Sequence, residues 1–475
     1  MINDLKPYPA YKDSGVAWLG EVPEHWGIHR LKASVSQIND LTSEKKPEEV
    51  YLALENVESW TGRVRLPDNN ITFESQVKKF HSNDVLFGKL RPYLAKVTSL
   101  PVDGVCVGEF LVLRPDTFTI LSPFLEKILR SKPIIDVINS STFGAKMPRA
   151  DWFFIGNLLL CFPSTSEQSA IIRYLDYIDR RIRRYIQSRK KLIKLLEEQK
   201  QAIISQAVTR GLNPNVKLKP SGVEWLGDVP EHWEIRKLKY EVTFTGGGTP
   251  SKAKAEFWNG DIPWVSPKDM KFSVINDTED HISALAVTES ATKIIDPGTV
   301  LVVVLSGILR RKIPVAINNV SVALNQDMKA LKPKGRLYTD YIFALIEGCQ
   351  KALLTEWTKQ GATVESIEHE LMANSFIPIP PKKEQLEIVK YLKEANKSTY
   401  LVIFQARQEI SLLREYRTRL ISDVVTGKLD VREAANRIHE TEEPGNFLET
   451  EDLAEAEGMA EENDLESRAN GSEED

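Results

Sequence analysis

The sequence of 475 residues contains only three cysteines, Cys106, Cys161 and Cys349, and none of them forms a CxxC pair. This spacing argues against a disulfide framework and a thiolate metal site, and it favours three small core residues. No apolar run is long enough to span a bilayer, and the N-terminal residues are polar and interrupted by proline. We therefore expect a cytoplasmic protein with no membrane partner.

The sequence also lacks the short motifs that carry catalysis. It has no GxxxxGK[ST] phosphate loop, no [DN]PP[FYW] stretch of the kind found in amino-methyltransferases, and no HExxH or His/Cys cluster. Carboxylates are frequent, but they follow no pattern typical of a nuclease. We therefore predict that the chain has no catalytic residue, no metal site and no cofactor of its own. Its sequence is typical of a binding protein.

Charge is distributed unevenly along the chain. The net charge is −5, but residues 440–475 contain fifteen acidic residues and one basic residue, so that this segment carries −14 and the remainder +9. A segment so acidic and so poor in apolar residues is expected to be a disordered tail. The basic remainder favours a polyanionic partner.

Two segments of the chain each occur twice in similar form. Residues 12–32 and 219–239 are identical at fifteen of twenty-one positions, and residues 167–212 and 384–429 at fifteen of forty-six. Repeats of this kind indicate a tandem duplication. We expect seven parts: a conserved segment (1–32), a variable α/β domain (33–162), a long helix (163–212), a second conserved segment (213–239), a second variable α/β domain (240–379), a second long helix (380–435) and the acidic tail (436–475).

The long segments are predicted to be helices because apolar residues recur in them at alternating spacings of four and three. The predicted seam of the first helix is Ile171, Leu175, Ile178, Ile182, Tyr185, Arg189, Leu192, Leu196, Gln199 and Ile203. That of the second is Ile388, Leu392, Ala395, Thr399, Val402, Ala406, Glu409, Leu413, Tyr416 and Leu420. We predict an antiparallel coiled-coil pair with pseudo-two-fold symmetry. The variable regions, with short β-rich runs between Gly, Pro and Asn turns, are predicted to be mixed α/β domains.

Two features of the repeats carry both a functional and a structural interpretation. His25 and His232 recur in "PEHW", where a histidine that satisfies a backbone group beside anchoring tryptophans is favoured over a catalytic residue. The arginines of "RRIRR" (180–184) could bind phosphates or a protein partner, or could form a solvated helix face. The residues that we consider for a partner surface are Arg180, Arg181, Arg183, Arg184, Tyr174 and Tyr391.

Basic residues mixed with polar and aromatic groups in the variable regions suit recognition of double-stranded DNA. In such an interface, charges bind phosphates while polar side chains read base edges. The candidates in the first region are Lys89, Arg91, Tyr93, Lys96, Lys146 and Arg149. Those in the second region are Thr249, Ser251, Lys252, Trp264, Ser266, Lys268, Arg310, Arg311, Lys312, Gln326 and Thr363.

The repeated order of "SGVxWLGxVPEHW", a variable domain ending in "GA[KT]", and a helix beginning near "EQ..I..YL" resembles the specificity subunits of type I restriction-modification systems. "GGTPS…FW.GDIPWVSPKDM" and "KLRPYLAKV" are similar to the entries of the target-recognition domains of that family. The resemblance covers residues 1 to about 435. The first domain lacks the Gly-rich loop of the second, so its own DNA contacts are less defined by the resemblance.

The resemblance implies that each variable domain reads one half of a split DNA site and that the helix pair sets the spacer. It also implies two methyltransferase subunits and motor-nuclease subunits as partners, and these would use S-adenosylmethionine, ATP and magnesium. Two other interpretations are a two-headed DNA-binding regulator without methyltransferase partners and a coiled-coil interaction scaffold. Neither the DNA sequence read nor the spacer length follows from the chain.

Overall fold

The computed structural model describes residues 5–66, 75–142, 144, 147–358 and 366–438. Its chain forms two compact units. The first comprises residues up to Arg183 together with those from Leu413 onward, and the second comprises Arg184–Leu412. Two long helices, α4 (Thr165–Arg210) and α10 (Lys382–Val425), each contribute residues to both units. None of the helices described here combines the length and the apolar character needed to cross a membrane.

The first unit contains one α/β domain between the chain's first segment and α4. Its strands are β1 (Tyr11–Asp13), β2 (Glu21–Pro23), β3 (Gly27–Arg30), β4 (Val35–Ile38), β5 (Leu41–Thr42), β6 (Val50–Leu52), β7 (Val77–Phe80), β8 (Val85–Gly88), β9 (Val97–Ser99), β10 (Gly104–Cys106), β11 (Phe110–Pro115) and β12 (Leu159–Phe162). Its other helices are α1 (Ser122–Leu129), α2 (Lys132–Ser140), α3 (Trp152–Asn157) and α11 (Arg432–Asn436).

Two four-stranded sheets build this domain, in the orders β4-β11-β8-β9 and β5-β7-β10-β6. Strands β8 and β11 lie inside the first sheet, and their apolar residues are buried on both faces, as expected for inner strands covered on both sides. Strand β3, at the end of the first repeated segment, pairs with β12. The repeated segment is therefore joined to the last strand of the domain.

The second unit has a related arrangement, with one strand more in its first sheet. Its strands are β13 (Leu218–Pro220), β14 (Asp228–Pro230), β15 (Glu234–Lys237), β16 (Val242–Gly246), β17 (Ile262–Val265), β18 (Val274–Ile275), β19 (Asp280–Ile282), β20 (Ile294–Ile295), β21 (Val300–Val303), β22 (Val315–Asn318), β23 (Val322–Leu324), β24 (Met328–Pro333) and β25 (Phe376–Ile379). Its helices are α5 (Leu238–Glu241), α6 (Ala284–Glu289), α7 (Thr339–Gly348), α8 (Gln350–Trp357) and α9 (His369–Asn374).

The sheets of the second domain have the strand orders β16-β24-β21-β22-β18 and β19-β17-β23-β20. In the first sheet of each domain, the first strand (β4 or β16) pairs with the last long strand (β11 or β24). That strand pairs in turn with the central strand at the corresponding position (β8 or β21). Strand β15 pairs with β25 as β3 pairs with β12. The predicted tandem of mixed α/β domains, each followed by a long helix, is therefore confirmed.

Within the second unit, α4 and α10 run antiparallel. Arg189 pairs with Glu409 at 2.8 Å and Glu197 with Arg407 at 2.9 Å, so the contacted residue moves back along α10 as α4 advances. A small apolar cluster between the helices contains Ile193, Ile403, Ala406 and Ile410, with Ile186 and Leu196 beside it. Within the first unit, Asp179 of α4 forms an ion pair with Arg417 of α10.

The predicted seam is displaced by one residue at several positions in the middle of both helices, although Leu196 and Ala406 lie between the helices as predicted. It is correct from Ile171 to Ile182, where all four residues are buried, but Tyr185 is then 44% exposed and the contacts move one residue on, to Ile186 and Ile193. In α10, Val402 is exposed, and Ile403 and Ile410 take the places predicted for Val402 and Glu409. An α-helix has 3.6 residues per turn, so a strict seven-residue repeat drifts around a straight helix and has to be reset.

Candidate nucleic-acid interface

In the first domain, the candidate residues meet at the edge of the sheet where β8 ends. The Lys89 amide donates to the carbonyl of Glu109 at 2.9 Å, and the Ala150 amide donates to the carbonyl of Lys89 at 2.8 Å. Leu90 and Arg149 form an isolated β-bridge. These backbone contacts bring Lys89, Arg91 and Arg149 to one edge, although Arg149 is about sixty residues later in the sequence.

Arg91 occupies a left-handed backbone conformation, with φ 50° and ψ 60°, just before the short 3-10 turn Pro92–Leu94. Ala95, just after the turn, has φ 49°. Two residues other than glycine in this region cost of order 1 kcal/mol or more each, and such conformations cluster at functional sites. The Arg91 amide donates to the carbonyl of Pro148 at 2.8 Å, which holds the turn against the Arg149 segment. Tyr93 in the turn is 41% exposed.

In the second domain, the Gly-rich loop follows β16 at the equivalent edge of the sheet. Gly247 lies so close to the chain that a Cβ atom there would be 1.9 Å from the carbonyl oxygen of Asn325, so that no other residue fits without a shift. The Gly248 amide donates to the carbonyl of Leu324 at 2.8 Å. The Thr249 hydroxyl then donates to Oε1 of Gln326, and both side chains are exposed at this edge.

The end of β21 lies at the same edge of the sheet. The Val304 amide donates to the carbonyl of Asp327, and Leu305 forms a β-bridge with Ser366. This bridge occupies the place that Leu90 and Arg149 occupy in the first domain. The 3-10 turn Gly307–Arg310 follows, which puts Arg310 and the exposed Arg311 and Lys312 after this edge in the chain. Ser251 and Lys252, beyond the Gly-rich loop, are exposed as well.

Three predicted contact residues face inward. Trp264 is buried and its indole Nε1 donates to the carbonyl of Gly248 at 3.1 Å. The Ser266 hydroxyl, also buried, donates to Asp269 at 2.8 Å. The Lys96 ammonium donates to the carbonyl of Leu54 at 3.0 Å. In this conformation, these side chains hold the loops that carry the exposed candidates, and a direct contact with DNA would require each to leave its partner.

Lys268 is half-exposed and doubly paired, to Asp280 at 2.8 Å and Glu279 at 3.1 Å. Burial lowers the pKa of its ammonium, but the two carboxylates outweigh burial and raise that pKa above its ordinary value. The ammonium of Lys268 is therefore charged, and the carboxylates of Asp280 and Glu279 balance its charge. Lys146 and Thr363, the remaining candidates, lie outside the described residues.

Acidic residues at both edges are functional candidates that the sequence reasoning missed. The Glu109 carboxylate accepts two hydrogen bonds from the Arg149 guanidinium, both at 3.2 Å. Asp327 lies at the matched turn of the second domain, where its carboxylate accepts from the Asn325 side chain at 3.2 Å. A carboxylate can accept from the amino group of cytosine. The available signal was positional, because each acid follows an apolar strand and directly precedes the last long strand of its domain.

The two PEHW histidines contact the first turns of the long helices. Glu167, at the start of α4, lies 2.9 Å from Nε2 of His25 and accepts hydrogen bonds from the Tyr8 hydroxyl and the Trp26 indole. Glu384, at the start of α10, repeats the contacts with His232 at 2.8 Å and with Trp233 at 3.0 Å. The structure therefore favours the structural interpretation and corrects its detail, since the partner is a helix-start carboxylate and not a backbone group.

The residues considered for a partner surface separate by exposure. Tyr174 is 3% exposed, and burial raises the pKa of its hydroxyl to about 12, so it is a core residue and not a surface contact. Tyr391, at the matched position of α10, is 44% exposed. Arg183 pairs with Asp179 at 3.0 Å, and Arg181 donates to the Tyr177 hydroxyl. Arg184 lies exposed on α4, whereas Arg180 is partly buried.

Ligand groups for a metal are not assembled in the part of the chain described: no set of three or more His, Cys, Asp or Glu side chains is placed to hold one. The three cysteines are buried, and burial raises the pKa of each thiol to about 12. They are core residues, as the sequence predicts.

Comparison with known proteins gives consistent matches. Residues 230–411 match the family model described as the type I restriction modification DNA specificity domain. The chain is 36% identical over 214 residues to the EcoR124I/EcoR124II specificity subunit of Escherichia coli, covering 44% of this chain and 50% of that one. It is 30% identical over 176 residues to the MjaIX specificity subunit of Methanocaldococcus jannaschii, covering 35% and 38%. The chain thus matches half or less of the length of these two curated relatives.

A solved structure from a study of complex assembly and conformational transition of the type I R-M system is similar over a longer stretch. The TM-score is 0.63 at 20% identity, with 86% of this chain and 99% of that chain covered. At that level of identity, the similarity concerns the fold.

Proposed function

We propose that this chain, which belongs to the specificity-subunit family of type I restriction-modification systems, selects the DNA sequence on which such a system acts. One observation carries the proposal. Two α/β domains whose first sheets share the order of four strands (β4-β11-β8-β9 and β16-β24-β21-β22) present different side chains at the same edge of the sheet, with Lys89, Arg91 and Arg149 in one and Thr249 and Gln326 in the other. A shared scaffold with different edges is what two readers of different sequences require.

The chemistry of each edge suits a different division of work. In the first domain, arginine and lysine can donate to guanine or to phosphates, and Glu109 can accept from cytosine. In the second domain, the exposed Gln326 and the Thr249 hydroxyl are polar readers, while Lys252, Arg311 and Lys312 supply positive charge. We infer that phosphate contacts position each domain and that these edges read the bases. Residues 33–162 and 240–379 are the proposed limits of the two readers.

The partners we propose are double-stranded DNA, two methyltransferase subunits and the motor-nuclease subunits of the full complex. Methyl transfer, ATP hydrolysis and DNA cleavage belong to those subunits, so this chain is the non-catalytic member of a cytoplasmic complex. After the buried Tyr174 is set aside, the proposed partner contacts are the exposed Tyr391, Arg181 and Arg184 and the partly buried Arg180 and Arg183.

A domain exchange tests the proposal. Residues 240–379 are replaced by the corresponding domain of a relative, the chain is co-expressed with its methyltransferase subunit, and the methylated sequence is determined across the host genome. We expect one half of the methylated site to change and the other to persist. Binding to specific DNA without any methylation would favour a two-headed regulator, and a chain with no affinity for DNA would favour an interaction scaffold.

Arg91 allows a test at a single residue. Arg91→Ala and Arg91→Gly both remove the guanidinium, but glycine adopts the left-handed conformation without strain. If Arg91 reads a base, both variants lose about 1–3 kcal/mol of binding free energy at one position of one half-site. If it binds a phosphate, binding weakens for all sequences and its salt dependence flattens. Lys252→Ala serves as the comparison in the second domain, and it should leave the first half-site unchanged.

A further inference from the structure

Each α/β domain has a capped turn directly after one strand of its second sheet. In the first domain, the 3-10 turn Leu54–Asn56 follows β6, and its last side chain accepts from the amide of the residue before the turn at 2.7 Å. In the second domain, the 3-10 turn Pro267–Asp269 follows β17, and the same contact measures 2.8 Å. Strands β6 and β17 also run parallel to corresponding neighbours, β10 and β23. The two turns are therefore equivalent, and the segments that follow them can be compared.

An aromatic residue follows each turn within four positions. Trp60 is partly exposed and has a left-handed backbone conformation with φ 62°, which is unusual for so bulky a residue and costs conformational energy. Phe272 is 74% exposed, so most of its ring remains in water. Each of these features is unfavourable for folding by itself, and strained conformations cluster at functional sites.

Trp60 lies beside the edge of the first sheet that carries Arg91. Its amide donates to the carbonyl of Leu94 at 3.2 Å, so the segment with Trp60 lies against the 3-10 turn that follows Arg91. Strand β9 begins just after this turn and pairs with the end of β8. The tryptophan is thus placed next to the edge that reads DNA in the proposed function.

Phe272 lies toward the corresponding edge of the second domain. Strand β18 begins two residues later and pairs in parallel with β22, and the Ile317 amide of β22 donates to the carbonyl of Ser273 at 2.9 Å. The start of β22 lies at the proposed reading edge, because the Val303 amide, at the end of β21, donates to the carbonyl of Pro314 at 3.1 Å. In a parallel pair, a residue that precedes one strand lies toward the start of the other. Phe272 is therefore on the side of this edge.

Exposed cations accompany both rings. Arg63 and Arg65 follow Trp60, and Lys271 directly precedes Phe272. In complexes with duplex DNA, cations of this kind bind phosphates, and apolar side chains can insert between base steps. An aromatic ring with cations beside it, at the edge of a reading domain, suits this combination of contacts.

We propose that Trp60 and Phe272 are matched base-contacting residues, whose rings pack against bases at the half-site read by each domain. The proposal rests on the proposed function and adds an apolar contact to the polar groups of each edge. Because an uncharged ring neutralises no phosphate, it contributes to affinity without contributing to the salt dependence of binding. Each ring acts only on the half-site of its own domain.

Phe272 gives the first test, because removing a ring that is 74% exposed leaves the core intact. The full-length chain with its methyltransferase subunits is titrated with a duplex that contains the methylated site, at several salt concentrations. We expect Phe272→Ala to lose roughly tenfold in affinity, as for other base–aromatic contacts. The slope of affinity against salt should stay that of the parent, whereas Lys271→Ala should reduce it. Tyr240→Ala, at an exposed ring before the opposite end of β16, is the control and should bind like the parent.

Trp60 gives a second test that separates the ring from the backbone conformation. Trp60→Gly removes the ring and adopts the left-handed conformation without strain, while Trp60→Phe keeps a ring. We expect a loss of roughly tenfold for the glycine variant and recovery of most of it with phenylalanine. The loss should disappear on a duplex whose first half-site is scrambled and persist when the second is scrambled. Phe118→Ala, at a ring that is 93% exposed beyond the far end of β11, is the control.

The outcomes distinguish this proposal from the proposed function. Parental affinity of Phe272→Ala would overturn the proposal, as would a loss that is the same with and without the matching half-site. A flatter salt dependence of either ring variant would also overturn it, because that result belongs to a phosphate contact. A parent complex that binds the methylated site no better than a scrambled duplex would instead contradict the proposed function, and this proposal with it.

Discussion

At the scale of single residues, the most informative side chains are the two glutamates that begin the long helices. Glu167 is 8% exposed and accepts from tyrosine and tryptophan, and Glu384 does so for tryptophan beside a histidine. The motif SGVxWLGxVPEHW occurs twice because each copy has to hold the start of one long helix. The histidine in it therefore needs no catalytic role.

Replacing Glu384 with glutamine should be destabilising. The substitution removes a charge that interacts with Trp233 in a partly buried hydrogen bond and with His232 in an exposed one. Hydrogen bonds to a charged group contribute about 1.5–3 kcal/mol to the free energy of unfolding, and less when exposed. We expect a loss of about 2 kcal/mol in urea-induced unfolding. Glu387→Gln, one turn later and 57% exposed, is the matched control and should change stability by less than about 0.5 kcal/mol. Equal effects at both positions would contradict this account of the repeat.

Asp179 should give the stability a dependence on acidity. Burial raises the pKa of its carboxyl, but Arg417 and Arg183 outweigh burial and hold that pKa below its ordinary value. The ion pair therefore stabilises the fold fully above the pKa of the unfolded chain, about 3.9, and the contribution is lost as pH falls through the lower folded pKa. We expect Asp179→Asn to flatten the decline of unfolding free energy below about pH 4. A decline as steep as that of the parent would show that other carboxyls dominate it.

At the scale of secondary-structure elements, the two long helices were predicted correctly, whereas some of the residues that face the partner helix were not. Helix existence and approximate ends follow from the Pro-rich starts and the four-and-three spacing, and α4 ends at Arg210, before Gly211. In the middle of both helices, the residues that face the partner helix could not be identified from the sequence. Two adjacent apolar residues, such as Val402 and Ile403, fit the four-and-three spacing equally well. Only the partner helix decides between them.

The corrected seam makes a direct prediction for that adjacent pair. Ile403→Ala removes a side chain that is 8% exposed and should cost about 2–4 kcal/mol of unfolding free energy. Val402→Ala, at a side chain that is 39% exposed, should cost well under about 1 kcal/mol. Both variants are measured by urea unfolding of the full-length chain. A larger loss for Val402→Ala would restore the original heptad.

At the scale of the whole molecule, the repeats in the sequence predicted the architecture, but they did not predict which individual residues contact one another. The duplication could be identified from the sequence because both pairs of repeated segments align without gaps. Arg149 joins Lys89 only through a β-bridge between distant segments, and Trp264 turns inward because its indole finds the carbonyl of Gly248. Such contacts depend on tertiary packing, which composition and spacing do not report.

Length of the helix pair should determine the spacer of the DNA site under the proposed function. Seven residues inserted into both helices, after Ile193 and after Ala406, add roughly 10 Å of helix at points close to each other in the apolar cluster. We expect the methylated site to keep both half-sites and to gain spacer, because half-site spacing follows from where the readers sit. An insertion in α4 alone is the control and should abolish methylation. An unchanged spacer would exclude the helices as its determinant.

The composition of the first unit has a consequence for biosynthesis. Its chain is discontinuous, and its beginning and end are joined where the Asp430 amide donates to the carbonyl of Lys6 and Arg432 lies over the ring of Tyr8. The second unit is continuous, so a ribosome delivers all of it before the last part of the first unit emerges. Because the segment from Leu413 onward has not yet been synthesised, the N-terminal domain has to wait, incompletely covered, until that segment emerges. Nascent chains arrested when residue 412 has just left the ribosome should therefore be protease-resistant in the second domain and still sensitive around Tyr8 and Trp26.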